Sequence, residues 1–252
     1  MDLGLKDKVA IVTGGSRGIG RAIALGLADE GCHVAICARG EEKLRETEAE
    51  IKAKGVRTFA MPLDVTDGAA IDAFVARTAF ELGRIDVLVN NAGGSKQGDD
   101  DEAWQGVIDL NLMAAVRASR AVVPHMKTAG GGSIINITSI WGREGGGAPT
   151  YNAAKAAMTS HAKNLGLTLA GEGIRVNSVA PGSIRFPGGG WDRRVQADPE
   201  GMAQFVKANI PAGRFGTAEE VANVVVFLCS PAANWVTAAS LNVDGGQSRS
   251  NI

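Results

Sequence analysis

Residues 8–38 read KVAIVTGGSRGIGRAIALGLADEGCHVAICA, and this stretch limits the fold more than any other. The apolar, β-branched run at 8–13 has the length and composition of a buried strand. Glycines between Gly14 and Gly18 turn the chain. RAIALGLADE (21–30) then carries helical spacing, and Gly31 follows it in the position of a C-terminal cap. A second apolar run, HVAICA, fills 33–38. Two buried strands joined by a helix lie parallel, and such a crossover is right-handed.

The alternation continues to the end of the chain. A charged amphipathic helix (41–55) leads to a third strand within RTFAMPLDV (57–65). A helix at 67–82 is followed by a strand in IDVLVNNAG (85–93), and a long helix at about 101–127 by a strand at 133–138. A helix at about 150–170, a strand at 175–180, the helix AEEVANVVVFLCS and a last strand at 240–243 complete the pattern. This predicts an α/β fold: a Rossmann-type, doubly wound parallel sheet of about seven strands with helices on both faces. No linker divides the chain, so 1–252 reads as a single domain. The glycine-rich stretch 181–215 is long for a compact domain and reads as a substrate loop or lid, or else as a surface insertion with one short helix at about 198–208.

Composition narrows the function classes. Apolar residues make up 45% of the chain, enough for a sizeable core, and a formal net charge of -1 gives no footprint for nucleic acid. The N-terminus lacks the pattern of a signal peptide, and no run approaches the ~18 apolar residues of a membrane span. Cys32, Cys37 and Cys229 form no metal-ligand spacing and read as free structural thiols in a reducing compartment, hence a cytoplasmic location. His33, His125 and His161 form no ligand set either, so no metal is expected. DDDE (99–102) reads as acid at the positive end of a helix dipole. The helix at 102–127 is apolar around much of its circumference, which fits burial against the sheet on one side and a second subunit on another.

TGGSRGIG (13–20) follows the first strand and opens a helix. A helix N-terminus offers free backbone N–H groups, and Gly14, Gly18 and Gly20 let a pyrophosphate approach them. An acid at the end of the second strand would bind the ribose 2′-hydroxyl of NAD. Here the chain reads Cys37-Ala38-Arg39, and Arg17 stands in the glycine turn. Two guanidiniums suit a 2′-phosphate, so NADP(H) is expected over NAD(H).

TGGSRGIG, NNAG (90–93), Asn111, Ser139 and YNAAK (151–155), with GRFGTAEEVANVVVFL and LNVDGG near the C-terminus, together resemble the short-chain dehydrogenase/reductase family over essentially the whole chain. The resemblance implies Tyr151 as general acid/base, Lys155 as its activator, Ser139 as hydrogen-bond partner of the substrate oxygen, and Asn111 as support for a water chain to Lys155. It implies cofactor contacts from Gly14, Ser16, Arg17, Gly18, Ile19 and Gly20, and adenine contacts from Asp64 and Val65. Asn91, Ala92 and Gly93 would line the adenosine side. Tyr151 and Lys155 would meet the nicotinamide ribose, and Pro181, Gly182 and Ile184 would pass beside the ring. It also implies a homo-oligomer, tetramer or dimer. Ser139 lies 12 residues before Tyr151, about one fewer than the commonest spacing; Thr138 is the alternative hydroxyl. Phe186 stands where many relatives carry a threonine that meets the carboxamide.

Tyr151 is the only tyrosine, and Lys155 follows it by one helical turn. Free tyrosine titrates near ~10, and an adjacent ammonium favours the phenolate, so Lys155 is expected to bring Tyr151 towards neutral pH. Substrate contacts are expected from Ser139, Trp141, Arg143, Arg185, Phe186 and Trp191: aromatics for a flat or apolar body, arginine for a carboxylate. The competing reading has Trp191 packing the lid and the arginines solvated. The expected reaction interconverts a ketone or aldehyde carbonyl and an alcohol, on a small molecule with an apolar body. Two alternatives stand. One is reduction of 3-oxoacyl groups on acyl carrier protein, for which Lys127 and Arg175 offer only a sparse basic rim. The other is a non-catalytic NADP-sensing module, which would not need both Tyr151 and Lys155.

Overall fold

A computed structural model describes residues 2–251. Along the chain run β1 (Val9–Thr13), α1 (Gly18–Asp29), β2 (His33–Ala38), α2 (Glu41–Ala53), β3 (Thr58–Pro62), α3 (Gly68–Leu82) and β4 (Val87–Asn90). Then come α4 (Asp101–Ile108), α5 (Ala114–Thr128), β5 (Gly132–Ile137), α6 (Pro149–Leu169), β6 (Ile174–Pro181), α7 (Gly190–Ala197), α8 (Pro199–Asn209), α9 (Ala218–Cys229) and β7 (Ser240–Val243). The seven strands form one sheet in the order β3-β2-β1-β4-β5-β6-β7, and every pair is parallel.

Side chains alternate across a strand, and β1 shows the consequence. Ala10 and Val12 join a core with Ile23 and Leu27 of α1, Leu44 of α2 and Val225 of α9. Val9 and Ile11 join the opposite core, with Phe74 of α3, Val122 of α5 and Ala162 of α6. Both faces of the sheet are therefore covered, which is why the strands read as unbroken apolar runs.

The order of the strands reverses between β1 and β4, and a crevice opens outside their C-terminal ends. Thr13 stitches this point. Its hydroxyl accepts the backbone N–H groups of Asn91 (3.0 Å) and Ala92 (3.1 Å), while the Asn91 amide donates to the carbonyls of Thr13 and Gly14.

Two segments differ from the sequence expectation. The long helix at 101–127 is interrupted by a π-helical turn, Asp109–Met113, between α4 and α5. The stretch 181–215 holds two short helices where one was expected. Asp198 ends α7 and caps α8, accepting the Gly201 N–H at 2.9 Å, and Pro199 takes the first position of α8. The acidic run behaves as read: Asp100 caps α4 through the Ala103 N–H, and Asp101 and Glu102 fill its first turn.

Candidate active site

The glycine turn is built by backbone need. Gly14 (φ 68°) and Gly18 (φ 53°) occupy the left-handed region that side chains avoid. A Cβ on Gly20 would run into the Gly14 carbonyl and the Asn91 amide. The residue before α1, Arg17, makes no side-chain cap, so its hydroxyl-free side chain leaves the first N–H groups of α1 to another acceptor. A cleft of about 730 Å³ opens here. Gly14, Ser16, Arg17, Ile19 and Gly20 form one wall, and Arg39 stands at the far end. Asp64, Val65 and the segment Asn91, Ala92, Gly93 form the other. The Thr66 backbone N–H (2.9 Å) and hydroxyl hold the Asp64 carboxyl below its usual range, with Arg39 adding to the effect. An uncapped helix start, glycines that admit close approach and an elongated cleft fit a dinucleotide.

Gly18 is not an open part of this wall. The Phe186 ring lies on it, close enough that a Cβ there would sit 2.6 Å from the ring. Phe186 thus borders the cleft, whereas Pro181, Gly182 and Ile184 do not. Pro181 ends β6, Gly182 donates its N–H to Val243 (3.1 Å), and Ile184 is buried in a bridge to Gly216. Lys43 and Leu110 also border the cleft, and neither belongs to a motif that points to it.

The four polar residues singled out for chemistry meet where β5 ends and α6 begins. Ser139 caps a short 3₁₀ turn, Ile140–Gly142, and its Oγ accepts the Trp141 N–H at 3.2 Å. Gly142 lets that turn close on α6: a Cβ there would lie 2.8 Å from the Lys155 backbone. The closure sets the Ser139 hydroxyl against the Tyr151 phenol, whose pKa it acts to lower. Thr138 is committed elsewhere, donating its hydroxyl to the Val179 carbonyl at 3.0 Å. The Lys155 Nζ lies 5.6 Å from the Tyr151 ring centre and donates to the Ile137 carbonyl at 2.8 Å.

Asn111 sits in the π-helical turn and is fully buried. The Asn111 amide donates to the Val107 carbonyl one turn back (2.9 Å) and to Gly94 O (2.7 Å), and its Oδ1 accepts the Gly94 N–H (3.1 Å). A Cβ on Gly93 would lie 2.7 Å from Asn111 Oδ1 and 3.2 Å from Lys155 Nζ, so the backbone at Gly93 packs between these two groups.

Electrostatics depart from expectation in one respect. Burial pushes the Tyr151 phenol up from 10.0, and only Ser139 works against it. Lys155 gives none of the expected lowering, because burial brings its own ammonium down below the range in which the phenol titrates. Lys155 itself, buried in the interior, is brought down from 10.5 to about 8. The pair as it stands holds a protonated phenol beside an ammonium that readily gives up its charge.

The residues expected at the substrate are dispersed. Trp141 lies on the glycine loop, with a Cβ on Gly147 placed 2.7 Å from its ring. Arg143 turns to the sheet edge, where its Nη1 donates to the Ser240 carbonyl at 2.7 Å. Arg185 pairs with Asp192 at 3.0 Å. Trp191 stacks on Phe205 (4.8 Å) and packs against Phe215 (5.3 Å), with Arg194 over its ring, as the lid-packing alternative has it. A groove of about 650 Å³ runs beneath α7 and α8, lined by Phe186, Val195, Met202, Val206 and Phe215. Among the described residues no group of His, Cys, Asp or Glu could hold a metal ion, and no helix is long and apolar enough to cross a membrane.

Comparison with known proteins agrees with this geometry. Residues 14–248 match the family model described as "Enoyl-(Acyl carrier protein) reductase". The chain is 39% identical over 246 residues to the 3-oxoacyl-[acyl-carrier-protein] reductase FabG of Staphylococcus epidermidis, covering 95% of this chain and 98% of that protein. Among solved structures, L-sorbose reductase from Gluconobacter frateurii, complexed with NADPH and L-sorbose, superposes with a TM-score of 0.94 at 38% identity, covering 99% of this chain and all of that one. A 7α-hydroxysteroid dehydrogenase complexed with NADH and a 7-oxo bile acid superposes at 0.90 and 32% identity, covering 99% of this chain and 97% of that one. The chain belongs to the short-chain dehydrogenase/reductase family and is an oxidoreductase interconverting carbonyl and alcohol groups.

Proposed function

We propose that this protein is a reductase that prefers NADP(H) to NAD(H) and acts on a ketone or aldehyde with an apolar body. The observation that carries the proposal is Lys155 Nζ 5.6 Å from the Tyr151 ring, with Ser139 acting on the phenol, beside a glycine-walled cleft lined by Arg17 and Arg39. Gly14, Ser16, Gly18, Ile19 and Gly20 would hold the pyrophosphate, and Arg17 and Arg39 the 2′-phosphate. Asp64, Val65, Asn91, Ala92 and Gly93 would hold the adenosine half and Tyr151 and Lys155 the nicotinamide half; Pro181, Gly182 and Ile184, which do not border the empty cleft, would reach the ring only from behind its wall. When bound, a reduced nicotinamide supplies hydride, which no side chain carries.

The side chains supply the rest. Burial keeps the Tyr151 phenol protonated at neutral pH, ready to transfer its proton to the oxygen on which negative charge develops. The Ser139 hydroxyl shares that oxygen. Lys155 stabilises the phenolate left behind, and its lowered affinity for its own proton makes it a route for reprotonating Tyr151. Asn111 fixes the loop at Gly94, and with it the backbone packed against Lys155. The apolar groove beneath α7 and α8 supports 181–215 as a lid over the substrate body.

A second reading, 3-oxoacyl-[acyl-carrier-protein] reduction, is favoured by the identity to FabG. The basic rim does not support it: Lys127 pairs with Glu172 at 2.6 Å, and Arg175, near the start of β6, is spent on the carbonyls of Leu228, Ser230 and Val236. Exposed Leu167, Phe227 and Trp235 support a homo-oligomer, and three buried free thiols support a reducing, cytoplasmic setting. The deciding experiment is an NADPH-consumption screen over ketones, aldehydes and a 3-oxoacyl thioester, with Tyr151→Phe and NADH as controls. Turnover by Tyr151→Phe equal to the unaltered protein overturns the mechanism. Nucleotide binding with no turnover of any carbonyl makes the protein a sensor instead.

A further inference from the structure

Cations near the adenosine end of the cleft fall into two groups. Arg21 pairs with Glu50, and Arg45 with both Glu41 and Glu48. Arg17, Arg39 and Lys43 have no ion-pair partner among the described residues, and all three border the cleft. Arg39 acts across the cleft on the Asp64 carboxyl, and even with Asp64 and Glu42 counted against them the three cations outnumber the acids left without an ion pair at this cavity. We propose that Lys43 is a third cation for the 2′-phosphate and a determinant of nucleotide choice. The inference rests on the reading that NADP(H) is preferred.

The local fold explains how a lysine on a charged, exposed helix comes to face a ligand. Leu44 is fully buried and fixes the rotation of α2 about its axis. The Thr47 hydroxyl, 1% exposed, lies 3.1 Å from the Lys43 carbonyl and 3.4 Å from the Ser16 carbonyl in the glycine turn. That shared contact clamps the first turn of α2 against the loop that carries Arg17. Gly40, before the helix, has nothing within 4 Å of where a Cβ would be, so the approach to Arg39 and Lys43 stays open. Two acids share this wall, Glu41 and Glu42. Arg45 holds Glu41 at 3.3 Å, which leaves Glu42 as the one acid on α2 at this wall facing three cations. A dianionic phosphate is favoured by that balance, whereas a neutral ribose diol gains nothing from Lys43.

The test measures binding directly, by calorimetric titration of NADPH and NADH into the unaltered protein, Lys43→Gln and Lys43→Arg, with thermal melts to establish folding. The expected result is about a threefold to tenfold weakening of NADPH binding in Lys43→Gln, the scale of one exposed charge-assisted contact. NADH binding should stay unchanged, Lys43→Arg should restore NADPH binding, and added salt should shrink the difference between the variants. Equal NADPH affinity in Lys43→Gln and the unaltered protein overturns the inference and leaves the roles of Arg17 and Arg39 standing. Equal weakening of both nucleotides also overturns it, because Lys43 would then only shape the helix. An unaltered protein that binds NADH more tightly than NADPH removes the premise itself.

Discussion

Replacing Lys155 with Met should abolish reduction and yet make the nucleotide-free protein more stable at neutral pH. Lysine's ordinary 10.5 falls to about 8 in the fold because burial disfavours the ammonium. Below pH 8 the side chain is charged in both folded and unfolded chains, and the folded state bears the whole desolvation cost. Between about 8 and 10.5 the unfolded chain holds the proton that the folded one has released, so stability climbs with pH. Above that window both forms are neutral and the cost is gone. At about 1.4 kcal/mol per pH unit, the full cost is on the order of 3 kcal/mol. Methionine removes it but leaves the Ile137 carbonyl without its 2.8 Å donor, a loss of about 1 kcal/mol. The net gain is roughly 2 kcal/mol, or about 4–8 °C in Tm for a chain of this size. Thermal melts of both proteins at pH 7 and near pH 10 provide the assay. The gain should be present at pH 7 and shrink as pH rises through the window. A Lys155→Met protein that melts lower at pH 7, or a difference that ignores pH, refutes the claim that burial of charge governs this residue.

Three further outcomes follow from the same site. Ser139→Ala should lower kcat by about 100-fold or more by removing a hydrogen bond to the developing charge, whereas Thr138→Val should act mainly on the melt, since its hydroxyl serves the Val179 carbonyl; equal kinetic damage from both would reverse the assignment. Tyr151, as the only tyrosine, can be titrated by phenolate absorbance: the midpoint should lie above 10.0 in the free protein and rise further in Ser139→Ala. Gly93→Ala should cripple turnover with intact folding elsewhere, because its Cβ would press on Asn111 Oδ1 at 2.7 Å and on Lys155 Nζ at 3.2 Å; wild-type kcat in that variant would show that the backbone there is free to yield.

Much of this architecture is legible in the chain because local pattern and burial agree. The strands are covered on both faces, so their apolar runs stand out, and the glycine turn is marked by residues that only positive φ explains. Tyr151 and Lys155 are found by spacing because one helix holds them, whereas Ser139 is reached through the family resemblance and placed by one tight turn. What escapes notice depends on distant partners. Nothing local marks the π-helical turn that carries Asn111, whose amide reaches the distant Gly94 backbone. Arg143 gives no local sign that it meets β7. Lys43 reads as one charge among many on α2 until Thr47 docks that helix on the glycine turn. The direction of the Tyr151 shift needs the extent of burial, and no spacing rule contains that.

Phe186 has one ring and two chambers to wall off: the glycine-walled cleft on one side and the apolar groove under α7 and α8 on the other. A partition of this kind cannot swing without resizing both rooms. Whatever settles against Gly18 must first shift the ring, and the shifted ring alters the space left for a guest beneath the helices. The sizes of the two spaces are thereby tied together by a single aromatic side chain.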